Sequence, residues 1–281
     1  MRGEFVDVGG CRLYYYAAGT RGAGEPVLFL HGFPASSHLW QGVVREMSTS
    51  APGHRMVVVD LLGLGRSDRP LGADLTARGH AERVRALMDD LRVDAACLVA
   101  HAMGGGIAQA IVTAWPERVT RLCLVNSVAF DAWPRRAARS ARWLCGAGAL
   151  ARAVGAPLLA GLVHGSMLAG YADPDAGRRS LDHYLRAFTQ RLGAGALVEQ
   201  LLAMRDPTVP PLGAHLGVLR HPTSIVWGRL DPFLDVGVGE RLRDAIPGAT
   251  LEVIPDARHF SPEDASERVA AVVAELLRRR T

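Results

Sequence analysis

Short, mainly apolar runs alternate along this chain with longer stretches in which apolar residues recur every three or four positions. The runs are typical of strands buried on both faces of a parallel sheet, and they lie at positions 26–30, 56–60, 95–100, 121–125, 224–227 and 250–254. Between them, Thr76 can cap a helix whose apolar positions include Val84, Leu87 and Leu91 on one face. This alternation predicts right-handed βαβ units, and therefore an α/β fold with a mostly parallel, doubly wound sheet.

The alternation is interrupted at two places. Near the start, segments 4–8 and 12–17 flank the pair Gly9-Gly10, which predicts a β-hairpin. From about residue 128 to about residue 209, the chain is rich in alanine and glycine and shows helical periods only. We therefore expect residues 128–209 to form an inserted helical cap, or lid, on a core built from residues 1–127 and 210–281.

Composition and charge exclude several kinds of chemistry. The sequence contains no lysine, so its 32 basic residues are all arginine, which excludes Schiff-base chemistry, a P-loop lysine and a pyridoxal anchor. The net charge of +4 is spread along the chain, so nucleic acid is not an expected partner. The cysteines are too scattered for a disulfide framework or a zinc site, and they are Cys11, Cys97, Cys123 and Cys145. No metal or organic cofactor is expected.

The sequence also bears on location. The N-terminal residues lack the long apolar core of a secretory leader, and we expect a cytoplasmic protein. Positions 153–171 run for about 19 residues without a charge, which is the length of a membrane span. Because this stretch contains Pro157, His164 and several glycines, we expect a buried lid and no membrane span.

The most informative segment is Ala100-His101-Ala102-Met103-Gly104-Gly105, which ends one apolar run and begins an amphipathic stretch. A strand that turns sharply into a helix displays one side chain at the mouth of a site, and here that side chain is Ala102. The segment resembles the nucleophile elbow G-x-S-x-G of α/β-hydrolases, in which small residues flank a strained nucleophile. The nucleophile itself is absent, because an alanine methyl group cannot attack a substrate.

Four further segments share this resemblance, and they occur in the family's order: 31–34 (His-Gly-Phe-Pro), 60–68, 227–232 (Trp-Gly-Arg-Leu-Asp-Pro) and 258–260 (Arg-His-Phe). Together with the elbow they identify the chain as similar to the α/β-hydrolases, in particular to the cap-bearing esterases, lactonases, carbon-carbon bond hydrolases, epoxide hydrolases and haloalkane dehalogenases. The resemblance covers nearly the whole chain outside the predicted cap, and it implies the α/β-hydrolase fold.

The resemblance also implies roles for particular residues. In this family the catalytic order is nucleophile, acid, histidine, which corresponds here to Ala102, Asp231 and His259. The oxyanion-hole donors would be the backbone amides of Phe33 and Met103. We expect Asp231 to bind one ring nitrogen of His259, and the other ring nitrogen to face the methyl group of Ala102.

Other residues are assigned less specific roles. His101 is expected to be a packed core histidine, and Asp60 and Asp68 are expected to organise the loop between them. The predicted ligand is a small, largely apolar molecule beneath the cap. Its predicted contacts are Trp133, His164, Met167, Tyr184 and Phe260.

Three interpretations of Ala102 remain open. The first is a serine hydrolase inactivated by alanine at the nucleophile position; Met103 and the following glycines favour it, since they fit the His-Ser-Met-Gly-Gly form of esterase-like members. The second is a native enzyme without a nucleophile, in which His259 and Asp231 act as general acid and base in an elimination, isomerisation or cyclisation, for example in secondary metabolism. The third is a binding protein on a hydrolase scaffold, which would not require the remaining catalytic residues. A native aspartate at position 102, as in epoxide hydrolases and dehalogenases, is disfavoured because those enzymes often have a bulky aromatic residue at the position of Met103.

Overall fold

The computed structural model describes residues 3–20, 24–130, 132, 156–189, 193–203 and 215–279. In these ranges the strands form one eight-stranded sheet with the order β1-β2-β4-β3-β5-β6-β7-β8. The first two are β1 (Glu4–Val8) and β2 (Cys11–Ala18); they are followed by β3 (Val27–Leu30), β4 (Met56–Val59), β5 (Ala96–His101), β6 (Val119–Val125), β7 (Thr223–Gly228) and β8 (Thr250–Ile254).

Most of the sheet is parallel. The strands from β4 through β3 to β8 pair in parallel, whereas β1 and β2 join the sheet as an antiparallel hairpin. The hairpin turns at Gly9 and Gly10, which have φ values of 61° and 78°; two consecutive residues with positive φ are the requirement of the tight turn predicted there. The predicted mostly parallel, doubly wound α/β fold is therefore confirmed.

Helices cover both faces of the sheet. Before β7 they are α1 (Gln41–Ser50), α2 (Ala77–Asp90), α3 (Met103–Ala114), α4 (Ala156–Leu168), α5 (Pro174–Leu185) and α6 (Gly193–Ala203). After β7 come α7 (Val236–Ala245), the single-turn α8 (Ser261–Asp264) and α9 (Ser266–Arg278). As predicted, Thr76 caps α2, with its side-chain hydroxyl accepting a hydrogen bond from the amide of Gly79.

The hydrophobic core has two layers, one on each face of the sheet. Strand β5 shows why: all six of its residues are buried, and Leu98 packs into the layer under α2 and α3 while Val99 packs into the layer under α1 and α9. Because neighbouring side chains on a strand point to opposite faces, a strand with helices on both sides must be apolar throughout. This position at the centre of the sheet fixes the end of β5, and with it Ala102.

Helices α4, α5 and α6 lie between β6 and β7 in the sequence, within the predicted cap; residues 156–189 and 193–203, which contain them, are called the helical insertion below. Their buried residues join both core layers: Leu159 and Phe188, which lies just after α5, pack into one, and Leu181 and Tyr184 into the other. The division into a core and a cap stays a prediction. Among the described residues, no helix is both long enough and apolar enough to cross a membrane.

Candidate active site

The site is organised around the junction between β5 and α3. Ala102 occupies this junction with φ 50° and ψ −116°, and its side chain is 5 % exposed. A residue with a Cβ disfavours this conformation, which has a strain of about 1–3 kcal/mol. The carbonyl oxygen of Ala102 accepts hydrogen bonds from the amides of Gly105 and Val128, at 3.0 and 3.2 Å, and these bonds hold the strained turn.

Two glycines make room for this turn. A Cβ at Gly32 would lie 2.7 Å from the Cβ of Ala102 and 3.2 Å from the amide nitrogen of Met103. A Cβ at Gly104 would lie 2.6 Å from the carbonyl oxygens of Leu30 and His31. The loop after β3 and the first turn of α3 therefore approach each other through glycine, closer than any side chain would allow.

The proposed acid and base are in contact. Nδ1 of His259 lies 2.8 Å from Oδ2 of Asp231, although the two residues are 28 positions apart. The other oxygen of Asp231, Oδ1, accepts hydrogen bonds from the amides of Phe233 and Leu234, at 2.8 and 3.1 Å. Burial alone would raise the pKa of Asp231, but the charge and hydrogen bond of His259, with the hydrogen bonds of Asn126 and Leu234, outweigh it and lower this pKa. Asp231 is therefore ionised and can stabilise a protonated His259.

Asn126 is a further site residue that the sequence analysis did not identify. Its Nδ2 donates to Oδ2 of Asp231 at 2.7 Å, and its Oδ1 accepts from Oγ of Ser261 at 2.7 Å and from the amide of Gly228 at 3.2 Å. Asn126 is fully buried and has φ 42°, a value that asparagine tolerates better than most residues. An asparagine directly after the apolar run of β6 was the available signal, since this is the edge of the sheet that carries the elbow.

The ring of His259 is oriented by packing as well as by Asp231. Its side chain is 7 % exposed, and Phe233 packs edge-to-face against it with ring centroids 5.1 Å apart. Nε2 of His101 donates to the backbone oxygen of His259 at 2.9 Å. Burial, together with the nearby His259, lowers the pKa of His101 to about 3, so His101 is neutral at pH 7. In the described part of the chain, Nε2 of His259 makes no hydrogen bond.

The proposed oxyanion donors, the amides of Phe33 and Met103, lie where the loop after β3 approaches the first turn of α3. Phe33 follows Gly32, and Met103 begins α3, where a backbone amide has no intrahelical acceptor. Neither amide has an acceptor among the residues that the structure describes. His31 supports this loop, because its Nδ1 donates to the carbonyl of Gly32 at 2.9 Å and its Nε2 accepts from the amide of Leu61 at 3.0 Å.

The loop after β4 is organised by its two aspartates. Oδ1 of Asp60 accepts from the amide of Ser37 at 2.6 Å, and Oδ2 accepts from the amide of Arg66 at 2.7 Å. Asp68 pairs with Arg12 at 3.2 Å. These contacts agree with the structural role expected for both aspartates.

The residues predicted to contact a ligand lie in different surroundings. Met167 is partly buried in α4 and packs against both core layers. Nε2 of His164 lies 3.3 Å from the exposed carboxylate of Asp182 on α5, so this ring already has a protein partner. Trp133 lies outside the described residues. The roles of these residues in binding stay predictions.

Tyr184 and Phe260 have protein partners too. Both are buried. The hydroxyl of Tyr184 donates to Glu263 at 3.0 Å, and the ring of Phe260 stacks on Tyr171 with centroids 4.2 Å apart. Their roles in ligand binding stay predictions. The contacts do establish that the loop of His259 is joined to Tyr171, which precedes α5, through Phe260, and to α5 itself through Tyr184.

Several other contacts join the same two segments. The amide of Phe260 donates to the carbonyl of Gly170 at 3.0 Å, and Nη1 of Arg258 donates to the carbonyl of Ala169 at 3.0 Å. The hydroxyl of Tyr171 donates to Oε2 of Glu263 at 2.7 Å. Helices α4 and α5 are thereby attached to the residues on either side of His259.

Comparison with known proteins decides the family. The sequence profile of the alpha/beta hydrolase fold matches residues 25–266. The chain belongs to this family. The resemblance inferred from the five segments is thus confirmed, and the order of strands and helices described above is that of an α/β-hydrolase fold protein.

Several relatives match the α/β-hydrolase chain over most of its length. A cis-3-alkyl-4-alkyloxetan-2-one decarboxylase of Shewanella oneidensis is 29% identical over 95% of this chain and 85% of its own. A 2-hydroxy-6-oxononadienedioate/2-hydroxy-6-oxononatrienedioate hydrolase of Klebsiella pneumoniae is 26% identical over 98% of this chain and 94% of its own. The crystal structure of an alpha/beta hydrolase fold protein from Burkholderia ambifaria superimposes with a TM-score of 0.86 at 26% identity, covering 97% of each chain.

Proposed function

We propose that the site is that of a serine-hydrolase-type α/β-hydrolase for a small, largely apolar carbonyl compound, an ester, thioester, lactone or carbon-carbon bond next to a carbonyl, in which alanine stands at the nucleophile position. The observation that carries this proposal is the strained backbone of Ala102. An alanine gains nothing from such strain, whereas a nucleophile gains exposure and a position beside the oxyanion donors. Acyl transfer is expected to be absent from the chain as it stands.

The neighbouring groups support the proposal step by step. Asp231 accepts a hydrogen bond from Nδ1–H of His259, which leaves Nε2 unprotonated and able to take a proton. A serine hydroxyl at position 102 would lose its proton to Nε2 while its oxygen attacks the carbonyl carbon. The amides of Phe33 and Met103 would then stabilise the oxyanion, and their lack of protein acceptors means that no existing hydrogen bond must break.

The proposed substrate class rests on the apolar groups around His259 and on the relatives. Phe233 packs against the His259 ring. Val128 and Ala129, which follow β6, are buried, and the amide of Val128 donates to the carbonyl of Ala102 at 3.2 Å. The Shewanella relative acts on an alkyl-substituted oxetan-2-one, which is a small lactone. The Klebsiella relative is a hydrolase of 2-hydroxy-6-oxononadienedioate and 2-hydroxy-6-oxononatrienedioate. Both substrates carry a carbonyl group, which is the group that this site is proposed to polarise.

The test is the substitution Ala102→Ser, assayed on short aryl esters, thioesters and lactones. Loss of the nucleophile in a well-studied serine protease lowers turnover on the order of 10⁶-fold, so its restoration should give hydrolysis far above that of the unmodified chain, with a burst of acyl-enzyme. The matched control is the double variant Ala102→Ser/His259→Gln, in which the burst should disappear. An Ala102→Ser protein that is folded, binds these substrates and forms no acyl-enzyme would refute the proposal.

A second function is favoured by one observation, namely that the Asp231–His259 pair is complete without a nucleophile. In this alternative, Nε2 of His259 removes a proton from a carbon next to a carbonyl, and the two amides stabilise the enolate. In an isomerisation the proton returns at another carbon. In an elimination the enolate expels a leaving group, and in a cyclisation it attacks an electrophilic atom of the same molecule; in both cases the departing or newly charged atom takes the proton from His259. The unmodified chain would then be the active form. His259→Gln would abolish this activity, and Ala102→Ser would add no hydrolysis of comparable rate.

A further inference from the structure

A cavity lies between the sheet and the helical insertion. Its volume is about 340 Å³. The sheet side is formed by β2 and by the loops after β3 and β4, and the opposite side by the end of α5 and the short helix that follows it. Its polar lining includes Tyr14, Tyr16, His38, Arg66, His183 and Arg186. Tyr184, a predicted ligand contact of the active site, also lines it, whereas Ala102, Asp231, His259, Phe33 and Met103 are not among the lining residues that the structure describes.

Neither arginine of this cavity has a carboxylate partner among the residues that the structure describes. Arg66 donates from Nη1 to the hydroxyl of Tyr14 at 3.0 Å, and its guanidinium lies over the ring of the same tyrosine, 4.9 Å from the centroid. The side chain of Arg186 forms no hydrogen bond or ion pair with any residue in the described ranges. Both guanidinium groups therefore have N–H donors available to a ligand.

Two imidazoles line the same cavity. The rings of His38 and His183 are 4.5 Å apart, centroid to centroid, at an interplanar angle of 30°. Burial lowers the pKa of both, and each is lowered further by a neighbour, His38 by His183 and His183 by Arg66. The rings are neutral at pH 7, and in the described part of the chain their nitrogens make no hydrogen bond. Each ring can offer one N–H to a ligand.

One acid is among the described residues that line the cavity. Asp60 is 1 % exposed, and each of its carboxylate oxygens already accepts a backbone amide hydrogen bond, from Ser37 and from Arg66. Because the described lining contains two arginines and this one carboxylate, it carries a net positive charge. Guanidinium groups that are not ion-paired, together with neutral imidazoles and phenolic hydroxyls, form a donor set that suits an oxyanion.

We infer that this cavity is a binding site for a compact oxyanion, a sulfate, phosphate or carboxylate group, held between Arg66 and Arg186 with N–H donors from His38 and His183. The bound anion would connect the sheet to the helical insertion, since Arg66 belongs to the loop after β4 and Arg186 follows α5. The inference does not depend on which reaction occurs at Ala102.

Equilibrium dialysis with radiolabelled sulfate, in sodium chloride that keeps the ionic strength constant, tests the site directly. We expect one saturable sulfate per chain. Arg66→Gln and Arg186→Gln should each weaken it by about tenfold to a hundredfold, the effect of losing one charge-assisted hydrogen-bonding group. Arg179→Gln is the matched control, because Arg179 is an exposed arginine on α5 that does not line the cavity; it should bind sulfate as the unmodified chain does. His183→Ala is a second variant, at an exposed position; it removes one of the proposed N–H donors and should also weaken sulfate binding.

The two possible sources of the anion are separated by competition. Hexyl sulfate that displaces the labelled ion at a concentration at least about tenfold lower than unlabelled sulfate would assign the site to the anionic end of an organic molecule. Equal potency would assign it to a free ion. No saturable binding at millimolar sulfate, or equal binding by the unmodified chain, Arg66→Gln and Arg186→Gln, would overturn the inference.

Discussion

Replacement of Glu263 is expected to weaken the attachment of the helical insertion to the core. Glu263 lies on α8, four residues after His259, and its carboxylate accepts three hydroxyl hydrogen bonds. The donors are Tyr171 at 2.7 Å, Ser180 at 2.8 Å and Tyr184 at 3.0 Å, all from the insertion. One carboxylate is therefore the common acceptor for three side chains of a segment that begins more than 80 positions earlier.

The magnitude follows from these contacts. A hydrogen bond to a charged group contributes about 1.5–3 kcal/mol, and contributions to one shared acceptor are not additive. Tyr171 and Tyr184 are each 2 % exposed, so water cannot fully replace the lost acceptor, whereas Ser180 is partly exposed. We expect Glu263→Ala to lower the free energy of unfolding by about 2–4 kcal/mol. Glu263→Gln retains one acceptor oxygen and should lower it by about 1–2 kcal/mol.

The pH dependence gives a sharper test. Burial raises the pKa of Glu263 even though three hydroxyl groups donate to it. The folded state then holds the proton more tightly than the unfolded state, so Glu263 stabilises the fold most at low pH, and this contribution is lost as the pH rises through the raised pKa. Glutamine cannot titrate, so Glu263→Gln should become more stable relative to the unmodified chain as the pH rises from about 4 to about 8.

Urea denaturation of both proteins across this pH range measures the difference. The control is Glu240→Gln, which removes an exposed carboxylate on α7 and should change the free energy of unfolding by less than about 0.5 kcal/mol at every pH. The reasoning is refuted by a Glu263→Ala variant as stable as this control, or by a stability difference for Glu263→Gln that moves in the opposite direction with pH.

Three further substitutions are predicted from contacts in the site. Asn126→Ala should lower the free energy of unfolding by about 2–4 kcal/mol in urea denaturation, because it removes a donor to Asp231 and leaves buried polar groups without partners. Gly32→Ala should lower it by about 1–3 kcal/mol, because the new Cβ would lie 2.7 Å from that of Ala102; an unchanged denaturation midpoint would contradict this close approach. His101 has its pKa lowered from 6.5 to about 3 by burial, so the unfolded state binds a proton first and stability falls as the pH drops from 6.5 towards 3. His101→Asn should reduce this dependence of the free energy of unfolding on pH. An equal dependence in both proteins would assign the effect to other groups.

Local patterns were sufficient to predict the sheet and the elbow. A parallel strand buried on both faces has to be apolar along its length, so β5 was visible as an apolar run, and its sharp exit was visible in the small residues around Ala102. The contact between Asp231 and His259 was expected from the roles that the resemblance to the α/β-hydrolases implies, and the structure brings their side chains within 2.8 Å. Their catalytic roles stay predictions.

Contacts between distant segments could not be predicted in the same way. Asn126 binds Asp231 across 105 positions, and no local period marks an asparagine as the partner of a particular aspartate. Phe260 shows the same limit: an aromatic residue next to His259 fits a ligand contact and a core residue equally well in sequence, and its full burial against Tyr171 depends on a segment almost 90 positions away. Side-chain pairing of this kind is decided by tertiary packing, which a single sequence does not specify.

The contacts around His259 have a consequence for ligand entry. The loop that carries His259 is bonded on one side to Asp231 and His101, within the sheet layer, and on the other to the insertion, through the amide of Phe260 and the carboxylate of Glu263. A movement of α4 and α5 large enough to admit a ligand must either break the second set of bonds or displace the His259 loop. Because Asp231 and His101 hold the His259 loop in place, breaking the hydrogen bonds to Glu263 perturbs the structure less than displacing this loop. If ligands enter by this movement, substitutions at Glu263 should increase the rate of ligand association while the interaction of His259 with Asp231 persists, which stopped-flow binding and the imidazole NMR signals of His259 would measure separately.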